Sequence, residues 1–508
     1  MKKFHLYSLI YILLCTLVIL TSCYGQSPAK DAAGGISFTD TPKAEKINKL
    51  ISTYAEYGDF NGAVLVAKEG KILYHKGFGL AEMEWKVPNT TNTKFRIGSI
   101  TKQFTAMLVV QLAAENKLDL HASISTYLPD YPKENGERIT AHQLLTHSSG
   151  TPNNYEHTKE EKIRPDAYST TDLIDEFAAL PLEFTPGEKF DYSNAGYNLL
   201  AHLIETITGK KYEEILQDRI FNPLGMKGIG FDKHRAIIKN RASGYFSSFG
   251  TYYNANYIDM STVYAAGALY ATVEDIFLWD QALYTEKLVP EKYLELIFTP
   301  HISDPDYGGH YGYGWSIKDK PVGNSSDHVQ TISHDGVIDG FCAIFTRIPS
   351  SKTSIILLSN VRRAPLNAMT KGVMGILYEK SYDFPKKSLA YSLLQVTDSD
   401  GIAKGIRHFE AEKNNPNYYL NEEEINVVSY KLLQSDRAEA ALEVLKLGIA
   451  AYPEAFNLYD SYGEVLRGLG KTSEAIENYK KSVQLNPDNE NGWRMLREMG
   501  VEVEKVKE

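Results

Sequence analysis

The sequence predicts an α+β domain, in which helices flank an antiparallel sheet, followed by an all-α domain. Two pairs of short apolar runs indicate the sheet, one over residues 62–77 around Glu69-Gly70 and one over residues 341–358 around a turn at Pro349. The stretch between them is mostly helical, and after about Phe384 helix pairs continue without strands. Because hairpins stand at both ends of a helical middle, we expect them to join one sheet with helices packed over it.

Length and composition describe a globular protein with more than one core. The chain has 508 residues, of which 43% are hydrophobic and 23% are charged. Its formal net charge is -10, and its lysines and arginines do not cluster. We therefore expect no nucleic-acid partner.

The first residues have the pattern of an export signal. Met1-Lys2-Lys3 precedes an apolar run that ends in Leu20-Thr-Ser-Cys23. This ending resembles the bacterial lipoprotein box and predicts lipidation of Cys23, although an ordinary signal peptide and an uncleaved anchor are alternatives. We expect residues 1–23 to be a signal peptide with a lipobox and residues 24–44, rich in Gly, Ser, Pro and Ala, to be a linker. The protein would then belong to the bacterial cell envelope, tethered by lipid with its folded part in the periplasm, and Cys342 would have no disulfide partner.

A serine and a lysine three residues apart are the strongest chemical signal. Ser99 and Lys102 stand at the start of a predicted helix with an apolar stripe of Phe104, Leu108 and Leu112. At this spacing the two Cβ atoms lie about 5–6 Å apart on one helical face, so the amine can take the hydroxyl proton. The helix N-terminus also favours a developing oxyanion and a neutral lysine. The pattern predicts a nucleophilic serine, with a helix-capping serine and a solvated lysine as the alternative.

Further motifs follow Ser99 and Lys102 in order. They are residues 144–150 (Leu-Leu-Thr-His-Ser-Ser-Gly), 185–187 (Thr-Pro-Gly), 192–194 (Tyr-Ser-Asn), 223–226 (Pro-Leu-Gly-Met), 265–270 (Ala-Ala-Gly-Ala-Leu-Tyr), 311–315 (Tyr-Gly-Tyr-Gly-Trp) and 334–336 (His-Asp-Gly). The set resembles the serine β-lactamase and penicillin-binding-protein superfamily, and within it the class C β-lactamase-like branch that includes D,D-carboxypeptidases, D-aminopeptidases and esterases. The resemblance covers residues 47–378 and implies a serine β-lactamase-like fold for a domain at residues 45–383.

The resemblance implies catalytic roles for three side chains. Ser99 would attack an acyl carbon, Lys102 would assist its deprotonation, and Tyr192 would be the partner base and the acid for the leaving group. A tyrosine is a poor base at pH 7 unless an ammonium such as Lys102 stabilises its anion, so these two form one coupled pair whose proton the sequence does not assign. The backbone N–H groups of Ser99 and, by resemblance, Val337 would form the oxyanion hole.

The resemblance also implies a substrate-binding set. Asn194 would hold the substrate amide, and His334, Asp335 and Gly336 stand where related enzymes carry Lys-Thr-Gly facing a substrate carboxylate. A neutral histidine and an anionic aspartate should weaken carboxylate binding, so we expect poor β-lactamase activity. The alternatives are a packed aromatic for Tyr192, a helix cap for Asn194 and a plain loop histidine for His334.

The last 125 residues carry an internal repeat. Ala441 corresponds to Ala475, and Pro453 to Pro487, at a spacing of 34 residues. This is the tetratricopeptide period, so we expect residues 384–508 to form a tetratricopeptide-like helical domain, with a generic helical bundle as the alternative.

The sequence thus predicts an exported serine hydrolase acting through an acyl-enzyme on a D-amino-acid peptide, in carboxypeptidase or aminopeptidase fashion, or on a small ester. One alternative is a class C-type β-lactamase or penicillin-binding protein. Another is an interaction protein, in which the repeats bind a protein partner and the hydrolase fold is a platform. We expect a small-molecule or peptide substrate, no cofactor and no metal, because His147, His157, His310 and His328 lack the ligand spacing of zinc sites.

Overall fold

The computed structural model describes residues 41–153, 168–248, 251–306 and 308–502. It divides into two compact units, Met1–Phe246 with Tyr253–Asp383 and Ser247–Tyr252 with Phe384–Glu508. The predicted signal peptide, Cys23 and most of the predicted linker lie outside the described residues. Across the described ranges, no helix has the length and apolar character needed to cross a membrane.

The elements between residues 41 and 383 are numbered here in chain order. The helices are α1 (Pro42–Glu56), α2 (Thr101–Ala114), α3 (Lys133–Gly136), α4 (Ala141–Leu145), α5 (Thr170–Asp175), α6 (Asn194–Thr208), α7 (Tyr212–Leu216), α8 (Asn222–Leu224), α9 (Tyr264–Gly267), α10 (Val273–Ala282), α11 (Glu291–Ile297) and α12 (Leu366–Leu377). The strands are β1 (Gly62–Lys68), β2 (Lys71–Phe78), β3 (Leu80–Glu82), β4 (Val87–Pro88), β5 (Phe95–Arg96), β6 (Gly230–Phe231), β7 (Tyr245–Ser248), β8 (Thr251–Asn254), β9 (Leu269–Ala271), β10 (Ile302–Ser303), β11 (His310–Tyr311), β12 (Ser316–Pro321), β13 (His328–Ile338), β14 (Phe341–Ile348), β15 (Thr353–Ser359) and β16 (Val361–Arg362).

Both predicted hairpins are confirmed, and they meet in one antiparallel sheet. Its strand order is β10-β11-β12-β13-β14-β15-β1-β2. The turn between β1 and β2 has positive φ at Glu69 (53°) and Gly70 (69°), the backbone that a two-residue hairpin requires. Strand β1 pairs with β15, with Leu65 opposite Ile356. The two ends of the domain sequence therefore lie side by side in one sheet, as the sequence predicts.

The sheet buries both of its faces. Phe345 and Ala343 of β14 belong to a core shared with α2, α6 and α10, whereas their neighbour Ile344 belongs to a core shared with α1 and α12. Alternate residues of a strand point to opposite faces, so both faces of β14 are buried and its first five residues, Phe341 to Phe345, are all apolar. Helix α10 contacts β15, and α12 contacts β14 and α1.

Helix α2 passes through the larger core. The predicted apolar stripe is buried, but the helix is also buried on its other sides, from Thr101 to Ala113. Its polar side chains find partners inside the protein: the Thr105 hydroxyl contacts the Tyr212 hydroxyl at 2.6 Å, and Gln103 accepts the indole N–H of Trp279 at 3.0 Å. A helix buried on all sides places any ionisable side chain that it carries away from water.

The second unit is helical. Its elements after residue 384 are two short strands, β17 (Lys387–Ser388) and β18 (Tyr418–Tyr419), and the helices α13 (Leu389–Asp400), α14 (Ile402–Glu412), α15 (Glu422–Gln434), α16 (Ala438–Ala451), α17 (Phe456–Gly468), α18 (Thr472–Leu485) and α19 (Glu490–Glu498). Ala441 and Ala475, the repeat-related alanines, are fully buried. A Cβ on Gly463 would lie 3.2 Å from the Tyr479 ring, so this glycine lets α17 and α18 approach closely. The predicted fold class, a sheet with flanking helices followed by a helical region, is confirmed.

Candidate active site

Ser99 lies in a short 3-10 turn, Gly98–Ile100, that leads directly into α2. The sequence placed Ser99 in the first turn of the helix, and the structure separates that turn from the α-helix proper. Gly98 has φ of 50°, a left-handed conformation that suits glycine. Ser99 is partly exposed to solvent.

Lys102 is fully buried beside that hydroxyl. Its Nζ donates to Ser99 Oγ at 3.1 Å, to Asn194 Oδ1 at 2.7 Å and to the Ala266 carbonyl oxygen at 2.9 Å. A protonated Lys102 would use all three of its N–H donors on these acceptors, whereas the neutral amine keeps two N–H donors and has a lone pair free to accept a proton. The three acceptors include no carboxylate, so burial lowers the pKa of Lys102 well below its usual value. A neutral amine at this position can take a proton from Ser99.

Tyr192 and Asn194 lie on either side of the helix cap that opens α6. Ser193 caps the helix, because its hydroxyl accepts the N–H of Gly196 at 3.1 Å. Asn194 is therefore not the cap, and its side chain accepts from Lys102 instead. The ring centroid of Tyr192 lies 4.7 Å from Lys102 Nζ. The structure thus brings together Ser99, Lys102, Tyr192 and Asn194, which the sequence grouped by motif.

His334 lies next to this group, with its ring centroid 6.3 Å from that of Tyr192. Its Nδ1 bonds the carbonyl oxygen of Asp335 at 2.7 Å, so Nδ1 carries the proton. Its Nε2 then accepts from the Tyr311 hydroxyl at 2.8 Å. Burial, reinforced by Lys102, lowers the pKa of His334 to about 3. The imidazole is therefore neutral, and both of its nitrogens are bonded within the protein.

The backbone around Gly336 lies directly against the backbone of the Ser99 turn. A Cβ on Gly336 would overlap the carbonyl oxygen of Ile97 and lie 3.2 Å from the Ser99 nitrogen. A Cβ on Gly98 would lie 2.8 Å from the Val337 nitrogen. Gly336 is thus required for the close approach of the two chain segments. That approach brings the backbone of Gly336 and Val337 into contact with the backbone of the Ser99 turn.

Asp335 is not part of the cluster. Its side chain is exposed and accepts from Asn367 of α12 at 3.3 Å. It pairs across β13 and β14 with Ile344, which faces the α1 and α12 core, whereas His334 pairs with Phe345, which faces the α2 core. The alternation of a strand therefore separates Asp335 from His334, and this period of two was already readable in the sequence.

Three further contributors carried no assigned role in the sequence reading, although their motifs were noted. The Ala266 carbonyl binds Lys102, Tyr311 binds His334, and His147 stacks on Tyr192 with ring centroids 4.2 Å apart. His147 and Tyr311 are almost fully buried. The signal available in the sequence was their place inside two of the motifs, residues 144–150 and 311–315. Among the described residues, no three or more His, Cys, Asp or Glu side chains are grouped to hold a metal ion.

Comparison with known proteins gives the class. Residues 47–372 match the Beta-lactamase family. PbpX of Bacillus subtilis (strain 168) is 33% identical over 315 residues, which cover 62% of this chain and 74% of PbpX. A penicillin-binding protein of the same strain is 30% identical over 363 residues, covering 68% of this chain and 78% of that relative. The crystal structure of a penicillin-binding protein from Bacillus halodurans superposes with a TM-score of 0.55 at 27% identity, covering 65% of this chain and 99% of that one.

The chain belongs to the Beta-lactamase family. It is an enzyme, a serine hydrolase of this β-lactamase and penicillin-binding-protein group. The matched region ends before Phe384, so the helical second unit lies outside the family match.

Replacing Gly336 by alanine should impair turnover while the fold persists. The added Cβ would push β13 away from Ile97 and Ser99, and losing one donor to a developing oxyanion typically costs about 10²–10³-fold in kcat. Hydrolysis of 4-nitrophenyl acetate measures the loss, and circular dichroism checks the fold. Gly468→Ala is the matched control, because a Cβ at Gly468 would meet nothing within 4 Å. Unchanged turnover in Gly336→Ala would show that this approach is not needed.

Proposed function

We propose that the protein is an exported, lipid-anchored serine hydrolase that works through an acyl-enzyme formed on Ser99. One observation carries the proposed chemistry: the fully buried Lys102 amine lies 3.1 Å from Ser99 Oγ. Export and lipid attachment rest on the sequence pattern that ends at Cys23. Burial lowers the pKa of Lys102, so a larger fraction of the amine is neutral and able to accept the serine proton.

The reaction divides into two acyl transfers. Ser99 Oγ attacks the acyl carbon while its proton passes to the Lys102–Tyr192 pair, and the N–H groups of Ser99 and Val337 stabilise the oxyanion. The pair then returns the proton to the leaving group as the bond to the acyl carbon breaks. Water then attacks the acyl-enzyme and gives its proton to the same pair. The pair returns the proton to Ser99 Oγ as the acid is released, so the enzyme regains its starting state. Asn194, which accepts from Lys102, would also hold the substrate amide.

The proposed substrate is a D-amino-acid peptide or a small ester, with a neutral or amine-bearing group beside the scissile bond. The supporting observation is that His334 is neutral and uses both nitrogens within the protein. Lys102 likewise uses its donors on Ser99, Asn194 and Ala266. Neither side chain is positioned to offer a substrate carboxylate an available charge, so His334 and Gly336 would line the site as a neutral wall.

A β-lactamase or penicillin-binding protein is the second candidate. It is favoured by the 30% identical relative from Bacillus subtilis, which is named as a penicillin-binding protein. A β-lactam would acylate Ser99 through the same steps, and the stability of that acyl-enzyme would separate a turned-over substrate from a covalent inhibitor.

We also propose that the second unit is a tetratricopeptide-like array that binds a protein partner. The support is the 34-residue spacing of Ala441 and Ala475, both fully buried between paired helices. If partner binding were the main activity, the hydrolase fold would be a platform, and loss of Ser99 would leave the biological role intact.

Ser99→Ala should abolish turnover and covalent labelling, because the substitution removes only the attacking oxygen. The thermal midpoint should change little, since Ser99 is partly exposed and provides no side-chain helix cap. Labelling by a fluorophosphonate probe and hydrolysis of 4-nitrophenyl acetate are the measurements. Ser326→Ala, at an exposed turn position, is the control. Undiminished labelling of Ser99→Ala would contradict the proposed mechanism.

A free carboxylate beside the scissile bond should reduce kcat/KM. In an enzyme that binds the carboxylate, a cation about 4 Å away would contribute roughly 4 kcal/mol of attraction at an effective dielectric near 20. Neither His334 nor Lys102 is positioned to supply that charge here, and the loss of even a quarter of this energy corresponds to about fivefold in kcat/KM. The test compares a D-alanyl dipeptide with its C-terminal amide, and we expect the amide to be the better substrate. Asp335→Thr should leave the ratio unchanged, because Asp335 lies on the other face of β13. Equal values for the two substrates would favour the D,D-carboxypeptidase or β-lactamase alternative.

Cys23→Ser should release the protein from the membrane fraction of a bacterial expression host. Lipidation of this cysteine is the proposed attachment, and serine cannot form the thioether. Fractionation followed by blotting measures the shift, and Cys15→Ser is the matched control within the signal region. Retention of Cys23→Ser in the membrane would support an uncleaved anchor instead.

A further inference from the structure

His147 holds the chain on both sides of Tyr192. Its carbonyl oxygen accepts the N–H of Asp191 at 2.8 Å, and its ring Nδ1 accepts the N–H of Ser193 at 3.0 Å. These are the residues immediately before and after Tyr192. Two bonds from one residue therefore fix the backbone that carries the tyrosine.

The same imidazole also contacts the Tyr192 ring. The two ring centroids are 4.2 Å apart and the planes are inclined by 31°. The Lys102 amine lies 4.7 Å from the centroid of that tyrosine ring. His147 thus contacts the same tyrosine ring as Lys102, and in the described part of the chain it makes no hydrogen bond to Lys102 or Ser99.

The backbone of His147 has a strained conformation, and hydrogen bonds of the neighbouring residues hold it in place. Its φ is 56°, which is uncommon for a residue with a side chain and costs on the order of 1–3 kcal/mol. The adjoining Ser148 N–H bonds the Gln143 carbonyl at 2.8 Å, and the Thr146 and Ser148 hydroxyls lie 2.9 Å apart. Such strain persists only where surrounding contacts hold it, and it marks positions with a geometric task.

The imidazole is neutral, with its proton on Nε2. Nδ1 accepts a hydrogen bond, so the proton of the neutral ring must lie on Nε2. Burial, with Lys102 and His334 nearby, lowers the pKa of His147 well below its ordinary value. Nε2 is buried and has no hydrogen-bond partner within the described ranges. A buried donor without a hydrogen-bond partner destabilises the folded protein. We therefore attribute the presence of a histidine here to the hydrogen bond that Nδ1 accepts from Ser193 and to the contact of the ring with Tyr192.

We infer that His147 is a positioning residue that fixes the Tyr192 phenol beside Lys102, and that it acts through Tyr192 without touching the substrate. This inference rests on the proposed role of Tyr192 in proton transfer. A group needed only to align that transfer should affect kcat and leave KM almost unchanged.

Two substitutions separate the contributions of His147. His147→Phe keeps a ring but removes the acceptor for Ser193 N–H, and should lower kcat for 4-nitrophenyl acetate about 30- to 100-fold. His147→Asn supplies an acceptor oxygen and tolerates positive φ, so it should recover kcat to within about fivefold of the unmutated enzyme. KM should change by less than about twofold in both. Thermal unfolding followed by circular dichroism gives the folded fraction of each variant, so misfolded protein does not enter kcat.

A double-mutant cycle supplies the decisive readout. In a Tyr192→Phe background, His147→Phe should lower kcat by less than about threefold, because its route of action is already removed. Equal fractional losses in both backgrounds would overturn the inference, as would an effect confined to KM or a His147→Asn variant no better than His147→Phe. Turnover by Ser99→Ala would instead contradict the proposed function itself, so the two failures are distinguishable.

Discussion

The burial of the Lys102 amine is the constraint on which the rest of the site depends. Removing an ammonium from water costs several kcal/mol of free energy. Lys102 is removed from water because helix α2, which carries it, is buried in the larger core. Two side-chain oxygens and one carbonyl oxygen meet the amine, from Ser99, Asn194 and Ala266. They satisfy its hydrogen bonds without supplying a countercharge, so the neutral form gains. The same burial that the fold must stabilise therefore prepares the amine to accept a proton.

The remaining parts of the site are placed by backbone contacts more than by side chains. The Gly336 segment of β13 lies against the Ser99 turn because neither Gly336 nor Gly98 carries a Cβ there. Strand β13 is held there by its pairing with β14, in which Gly336 lies opposite Ala343. Main-chain groups held in this way are fixed before substrate arrives, which is the condition under which the oxyanion hole proposed at Ser99 and Val337 would lower a barrier.

The aromatic and imidazole rings around Lys102 form a largely uncharged surround. His147 and His334 are both buried, and in both the pKa is lowered by burial and by Lys102. Each ring has a definite hydrogen-bonding task, Nδ1 of His147 toward Ser193 and Nε2 of His334 toward Tyr311. A positive charge on either ring would repel a protonated Lys102. Because both imidazoles are neutral, the charge of the site depends only on the Lys102 amine and the adjacent Tyr192.

The sequence by itself determined the local features: the hairpin turn at Glu69-Gly70, the three-residue spacing of Ser99 and Lys102, and the 34-residue helical period. Each follows from interactions between residues close in the chain. The tertiary structure decided which face of β13 Asp335 occupies, that Lys102 is buried on every side, and that His147 brackets Tyr192. These depend on strand register and on packing between segments tens to hundreds of residues apart, and no local pattern specifies which distant groups will exclude water from a given side chain.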